Sequence, residues 1–204
     1  FNTDSSSFDT AWRGFLTDRR REYTRADSRR QDELVGMVAD LSVDLGSYFT
    51  RWNPRLPEQA VIDGLVAESR ALLEEWKRPQ AAAHVQLEIS SIQKSNFVKL
   101  SRLSDRGVLN SRWGNDSAVG LTRAARRGAV LCTTNPVMIN NVRKLDPAYW
   151  EKEKAVLQRK YQGFPAAKLA SYLTMEVVRK NCAEFRPVYE ASHGRYGYVC
   201  LQVN

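Results

Sequence analysis

The 204-residue chain, 43% hydrophobic and 26% charged, is long enough to bury a core, and no apolar run approaches the roughly 20 residues a membrane-spanning helix requires. Its net charge of +8 is divided unequally, with 14 Lys+Arg against 15 Asp+Glu in residues 1–100 and 17 against 8 in residues 101–204; the basic half suits an anionic ligand such as a phosphate ester as well as it suits RNA, and solvated outer helix faces account for most individual positions. Three cysteines without a disulfide-framework spacing, and an opening "FNTDSSSFDTAWRGF" without a secretory pattern, argue against a disulfide scaffold and predict a soluble, cytoplasmic protein.

In chain order, residues 8–78 carry helical signals. Leu34, Val35, Val38, Leu41, Leu45 and Phe49 recur at helical spacing, and "PEQAVIDGLVAESRALLEEWKRP" opens with Pro57 and stops before Pro79. The run "DRRREYTRADSRRQDE" mixes both signs and reads as an exposed helix face or link without a ligand. Residues 80–105 read as less regular. "RGVLNSRWGN" is a candidate strand, "DSAVGLTRAARRG" a short helix with Asp116 or Ser117 as N-cap and Gly128 as terminator, and "AVLCTT" a second strand. Helix signals follow through "PVMINNVRKL", "DPAYWEKEKAVLQRKYQG" and "PAAKLASYLTMEVVRKNCAEF", and "GYVCLQVN" reads as a third strand. This alternation predicts an α/β fold with a parallel sheet and helical crossovers.

In such folds chemistry gathers at the carboxyl ends of the strands. Reading those ends gives Asn115 and Asp116, then Thr133, Thr134 and Asn135, then Gln202 and Asn204. Polar groups at the ends of apolar strands need partners, and a ligand would supply them. Capping of the following helices is the alternative for Asp116 and Asn135. Of the five tryptophans, Trp12, Trp52, Trp76 and Trp150 read as packing anchors, while Trp113 adjoins Asn115 and Asp116 and either walls the pocket or packs behind the strand.

"RWGNDS", "GAVLCTTNPVMINN" and "PVYEASHGRYGYVCLQVN" resemble the first three strand motifs of the transaldolase family, the middle one with its Thr-Thr-Asn-Pro core being quite specific. The resemblance implies a (β/α)8 TIM-barrel type fold, of which residues 101–204 would supply the first three β/α units behind an all-α N-terminal extension of residues 1–100. It also implies an aldolase or transaldolase reaction on a phosphorylated ketose through a lysine Schiff base. Asp116 matches the family's proton-transfer aspartate, and Asn135 with Thr133 and Thr134 matches the motif that holds substrate hydroxyls, with Asn115 beside them. Gln202 falls where transaldolases resemble one another in having Glu and where the fructose 6-phosphate aldolase branch has Gln; an amide orients water but cannot relay its proton. Gly114 stands between Trp113 and Asn115, where the resembling branch has no spacer, which leaves the register of Asp116 open by one residue.

The family's lysine lies on a fourth strand, so it is expected from outside this segment. Lys152, Lys154, Lys160, Lys168 and Lys180 read as solvated helix lysines. Completion by further polypeptide, or a homo-oligomer, is therefore expected. The alternative function is a non-catalytic, transaldolase-derived structural or interaction subunit.

Other chemistries find little support. "RYGYVCL" lacks the Gly and second aromatic of an RNA-recognition strand, so no nucleic-acid partner is expected, and no membrane either. His84 and His193 have no Cys or carboxylate pair at ligand spacing, so no metal site is expected. No phosphate loop, dinucleotide fingerprint or nucleophile elbow occurs, and no cofactor is expected.

Overall fold

The computed structural model describes residues 5–47 and 59–202. Phe49, Trp52, Pro57 and Asn204, which the sequence placed on a helix face, at a helix start or at a strand end, lie outside the described residues. The chain divides into two compact units, Phe1–Arg102 and Leu103–Asn204. Among the described residues no helix is long and apolar enough to cross a membrane.

The first unit is helical: α1 Ser5–Tyr23, α2 Ser28–Ser47, α3 Gln59–Glu75 and α4 Pro79–Lys94. On α2, Leu34, Val38 and Leu45 are fully covered; on α3, Ile62, Leu65, Leu72 and Leu73 repeat the same spacing, because positions three and four apart share one helix face. Trp12 of α1 packs into this core, and its indole Nε1 donates to Ser69 Oγ at 3.1 Å. The mixed-charge run lies on the outside, where Arg30 reaches Glu22 at 2.6 Å and Arg19 reaches the same carboxylate at 2.7 Å. Exposed pairs of this kind stabilise by about 0–1 kcal/mol each. They keep the face soluble rather than hold it together.

Residues 80–105 differ from the sequence reading: they are helical, as α4 and α5 Asn96–Asp105. Pro79 ends one helix and also opens the next, since a proline at the first helical position has no N–H to lose. Ala82, Val85, Ile89 and Ile92 then bury one face of α4.

The second unit contains β1 Asn115–Asp116, α6 Leu121–Arg126, β2 Leu131–Thr134, α7 Pro136–Leu145, α8 Pro147–Lys160, α9 Ala166–Ala191 and β3 Tyr198–Leu201. The strands are parallel in the order β1-β2-β3. The second unit's core comes mostly from helices, with Trp150, Leu157, Leu173, Val177, Phe185 and Val188 all buried.

The α/β, TIM-barrel expectation is therefore corrected. The described residues are 73% helical and hold a single three-stranded parallel sheet, whose strands have two, four and four residues. It is a mostly helical protein with a small sheet. The reading of residues 101–204 as three barrel units falls with it, because motif-length likenesses at strand ends specify local turns and caps, not an architecture. The first strand illustrates the overreach: of "RGVLNSRWGN" and its continuation only Asn115 and Asp116 pair. The short helix begins later than expected, with Gly120, not Asp116 or Ser117, at its N-cap, and φ is +69° there. A left-handed backbone favours glycine at that position.

Candidate functional site

The register of the small sheet decides which polar residues meet. Val130 N donates to Trp113 O at 3.0 Å, and Asn115 then lies opposite Cys132 and Asp116 opposite Thr133. Gly114 permits this approach: a Cβ there would fall 2.6 Å from Leu131 Cδ1 and 3.2 Å from the Leu131 carbonyl oxygen. The extra glycine that left the register open in the sequence is thus a spacer that lets β1 lie against β2.

Side chains alternate across a strand, and the alternation divides the sequence-derived residues. Asp116, Thr133 and Cys200 are register neighbours on one face, and Gln202 continues that face two residues on, its backbone N–H bonded to Thr134 O at 2.9 Å. Thr133 Oγ1 donates to Asp116 Oδ1 at 2.6 Å. The bond is short, as hydrogen bonds from a hydroxyl to a carboxylate are. Asp116, Cys200 and Gln202 are exposed.

The other face is covered. Cys132 is fully buried and Thr134 is 2% exposed. Cys132 Sγ lies 3.1 Å from Ser117 O, to which it donates. Burial pushes the Cys132 thiol up to about 11, with the charge of Asp116 adding to the rise. A thiol so placed is an inert packing group. Thr134 Oγ1 is buried and has no hydrogen-bond partner among the described residues.

Asn115 and Asn135 have local work. Asn115 Nδ2 donates to Ser117 O at 2.8 Å, closing the turn after β1. Asn135 is the N-cap of α7: its Oδ1 accepts from Met138 N at 3.0 Å, and Pro136 occupies the first helical position. Asp146 and Pro147 repeat the device at the start of α8, with Tyr149 N as donor. Of the described residues singled out at the strand ends, Asp116, Thr133 and Gln202 share the open face, Asn115 and Asn135 hold the turn after β1 and the start of α7, and Thr134 is buried on the opposite face.

Two residues were missed. Cys200 was counted only among the three cysteines without a disulfide spacing, yet it is exposed beside Thr133; counting back by two from Gln202 would have found it. Ser117, whose carbonyl receives both Asn115 and Cys132, was considered only as a cap.

Among the described residues no lysine stands on a strand or in the first turn after one. Lys154 is paired with Glu151 at 2.9 Å, and Lys168 and Lys180 lie over the rings of Phe164 and Tyr149 at 4.1 and 4.5 Å. His193 is exposed in the turn after α9, at φ +52°. Among the described residues no group of three or more His, Cys, Asp or Glu could hold a metal ion. Comparison with protein-family models, curated proteins and solved structures gives no match to this chain.

Proposed function

We propose that the open face at the carboxyl ends of β1, β2 and β3 binds a phosphorylated ketose and takes part in an aldolase or transaldolase-type reaction, with the Schiff-base lysine supplied from outside this segment. The observation that carries the reading is the Thr133–Asp116 bond at 2.6 Å on an exposed face shared with Gln202. Thr133 engages one carboxylate oxygen and orients the group. The second oxygen is left for a substrate hydroxyl, whose proton Asp116 accepts as the carbon–carbon bond breaks. Gln202 donates and accepts hydrogen bonds without changing protonation state, which suits holding a water or a hydroxyl in place. The surplus of basic residues in 101–204 favours the phosphate in the field of this unit. Asn115 and Asn135 act behind these groups by fixing the backbone that presents them, and Thr134 packs on the covered face. A cytoplasmic setting, where thiols stay reduced, suits the three free cysteines.

The test is Asp116→Asn in the full protein, assayed for aldol cleavage and exchange on fructose 6-phosphate, with borohydride trapping of the imine followed by mass. Loss of a general acid–base group costs about 100-fold or more in kcat, while trapping persists. Turnover equal to the parent protein would overturn the role of Asp116, and the absence of any trapped adduct would overturn the Schiff-base reading itself.

A further inference from the structure

A second cleft lies in the second unit, away from the strand ends. It is formed where the last turn of α7, the second half of α8 and the first two turns of α9 meet, and is a half-open cleft of about 190 Å³. Its floor is apolar: Leu157 and Leu173 are 7% and 4% exposed and belong to the core cluster with Ile139, Trp150 and Val177, and Leu169 and Ala170 continue it along α9. A rigid apolar cavity of about 150 Å³ holds a benzene ring. This floor therefore has room for an apolar body of ring size.

The polar side chains at the cleft are the cations Arg143 and Lys154 and the neutral amide Gln158. Lys154 is engaged by Glu151 at 2.9 Å, and that carboxyl is held below the usual range, first by its hydrogen bond, then by the charge of Lys154, with the more distant charge of Arg143 adding to it. Arg143 is different. It makes no ion pair among the described residues, and its Nε is buried without a hydrogen-bond partner there, a state that costs free energy until an acceptor arrives. A third positive element adds to it. Ala166, the first residue of α9, lines the cleft, and this 26-residue helix begins behind Pro165 with no side-chain cap and no acidic residue in its first turn, leaving the positive end of its dipole uncompensated.

We propose that this cleft is a binding site for a small monocarboxylate with a ring-sized apolar body, its carboxylate toward Arg143 and the start of α9 and its apolar part on Leu157, Leu169 and Leu173. Inorganic phosphate would leave the apolar floor empty, and a neutral ring would leave Arg143 without an acceptor. The site stands independently of the sugar-phosphate reading of the sheet face.

Benzoate is the probe, titrated into the full protein while leucine and alanine methyl resonances are followed by NMR, with benzyl alcohol as neutral counterpart and inorganic phosphate as apolar-free anion. The expected result is saturable shifts at Leu157, Leu169, Leu173 and Ala170, with Kd at or below about 1 mM and at least about tenfold tighter binding than benzyl alcohol. Arg143→Met, which keeps the apolar stem, and Ala170→Leu, which fills the cleft from an exposed helix position, should each weaken benzoate at least about tenfold. Absence of saturable shifts, equal affinity for benzyl alcohol, phosphate binding as tight as benzoate, or unchanged benzoate affinity in both variants each overturns the proposal. Should Arg143→Met fail to fold by circular dichroism, the Ala170→Leu titration decides.

Discussion

Replacing Gly114 with alanine tests the geometry on which the sheet face depends. The new Cβ would stand 2.6 Å from Leu131 Cδ1, 3.0 Å from Leu131 Cγ and 3.2 Å from the Leu131 carbonyl oxygen. The side-chain atoms can swing away, whereas the carbonyl belongs to β2 and can yield by only a few tenths of an ångström. Overpacking costs about 1–3 kcal/mol, and the stiffer unfolded chain offsets about 0.4–1 kcal/mol of that, so a net loss of about 1–2 kcal/mol is expected in urea unfolding. The double mutant Gly114→Ala/Leu131→Ala removes the two closest contacts. It should be more stable than the sum of the single effects by about 1 kcal/mol, well outside the roughly 0.3–0.5 kcal/mol scatter of independent sites. The same variants carry a second readout: splaying β1 from β2 lengthens the Thr133–Asp116 bond, so slowed hydroxyl-proton exchange at Thr133 in the parent should disappear in Gly114→Ala and return in the double mutant. Strict additivity, with the Thr133 hydroxyl proton unchanged throughout, would falsify the assigned register.

The thiols offer a further check. With Cys132 at about 11 against an ordinary 9.0, its thiolate fraction at pH 8 is lower by about 100-fold, and burial slows attack again; a disulfide reagent should modify the exposed Cys182 and Cys200 and reach Cys132 only on unfolding. Because the folded value is raised, this thiol's contribution to stability is whole below pH 9 and is lost as pH rises through 11, a decline that Cys132→Ala should not show in denaturant titrations from pH 8 to 11. Ser69→Ala leaves the buried Trp12 Nε1 without its acceptor and should cost about 1–3 kcal/mol in unfolding followed by tryptophan fluorescence. Asn135→Ala removes the α7 cap and should cost about 1 kcal/mol with faster exchange of the Met138 amide, while Asn135→Asp, itself a good cap, should cost little.

Much of the local structure was legible because it is written in neighbouring residues. Apolar spacing at Leu34, Val38 and Leu45 marks the buried face of α2, and the Asn135–Pro136 and Asp146–Pro147 pairs mark helix starts, because a cap and its donor lie three residues apart. Residues 80–105 were misread for an equally local reason: Pro79 was taken only as a stop, although a proline can also begin a helix. The transaldolase likeness led to a barrel because strand-end motifs were taken to carry the whole architecture, whereas helices make most of this molecule and its strands stay very short.

By itself, then, the sequence determined where α7 and α8 begin, which face of α2 and α3 is apolar, that the basic surplus lies in residues 101–204, and that polar residues close the strands. Only the tertiary structure decided how those polar residues divide. Thr133 and Thr134 are adjacent in the chain, yet one holds Asp116 in the open and the other is buried, since neighbouring strand residues face opposite ways and the parallel register sets which strand end each meets. The cationic cleft was equally invisible beforehand. Arg143, Leu157 and Ala170 lie on three different helices, and no pattern read along one segment reports how separate segments pack.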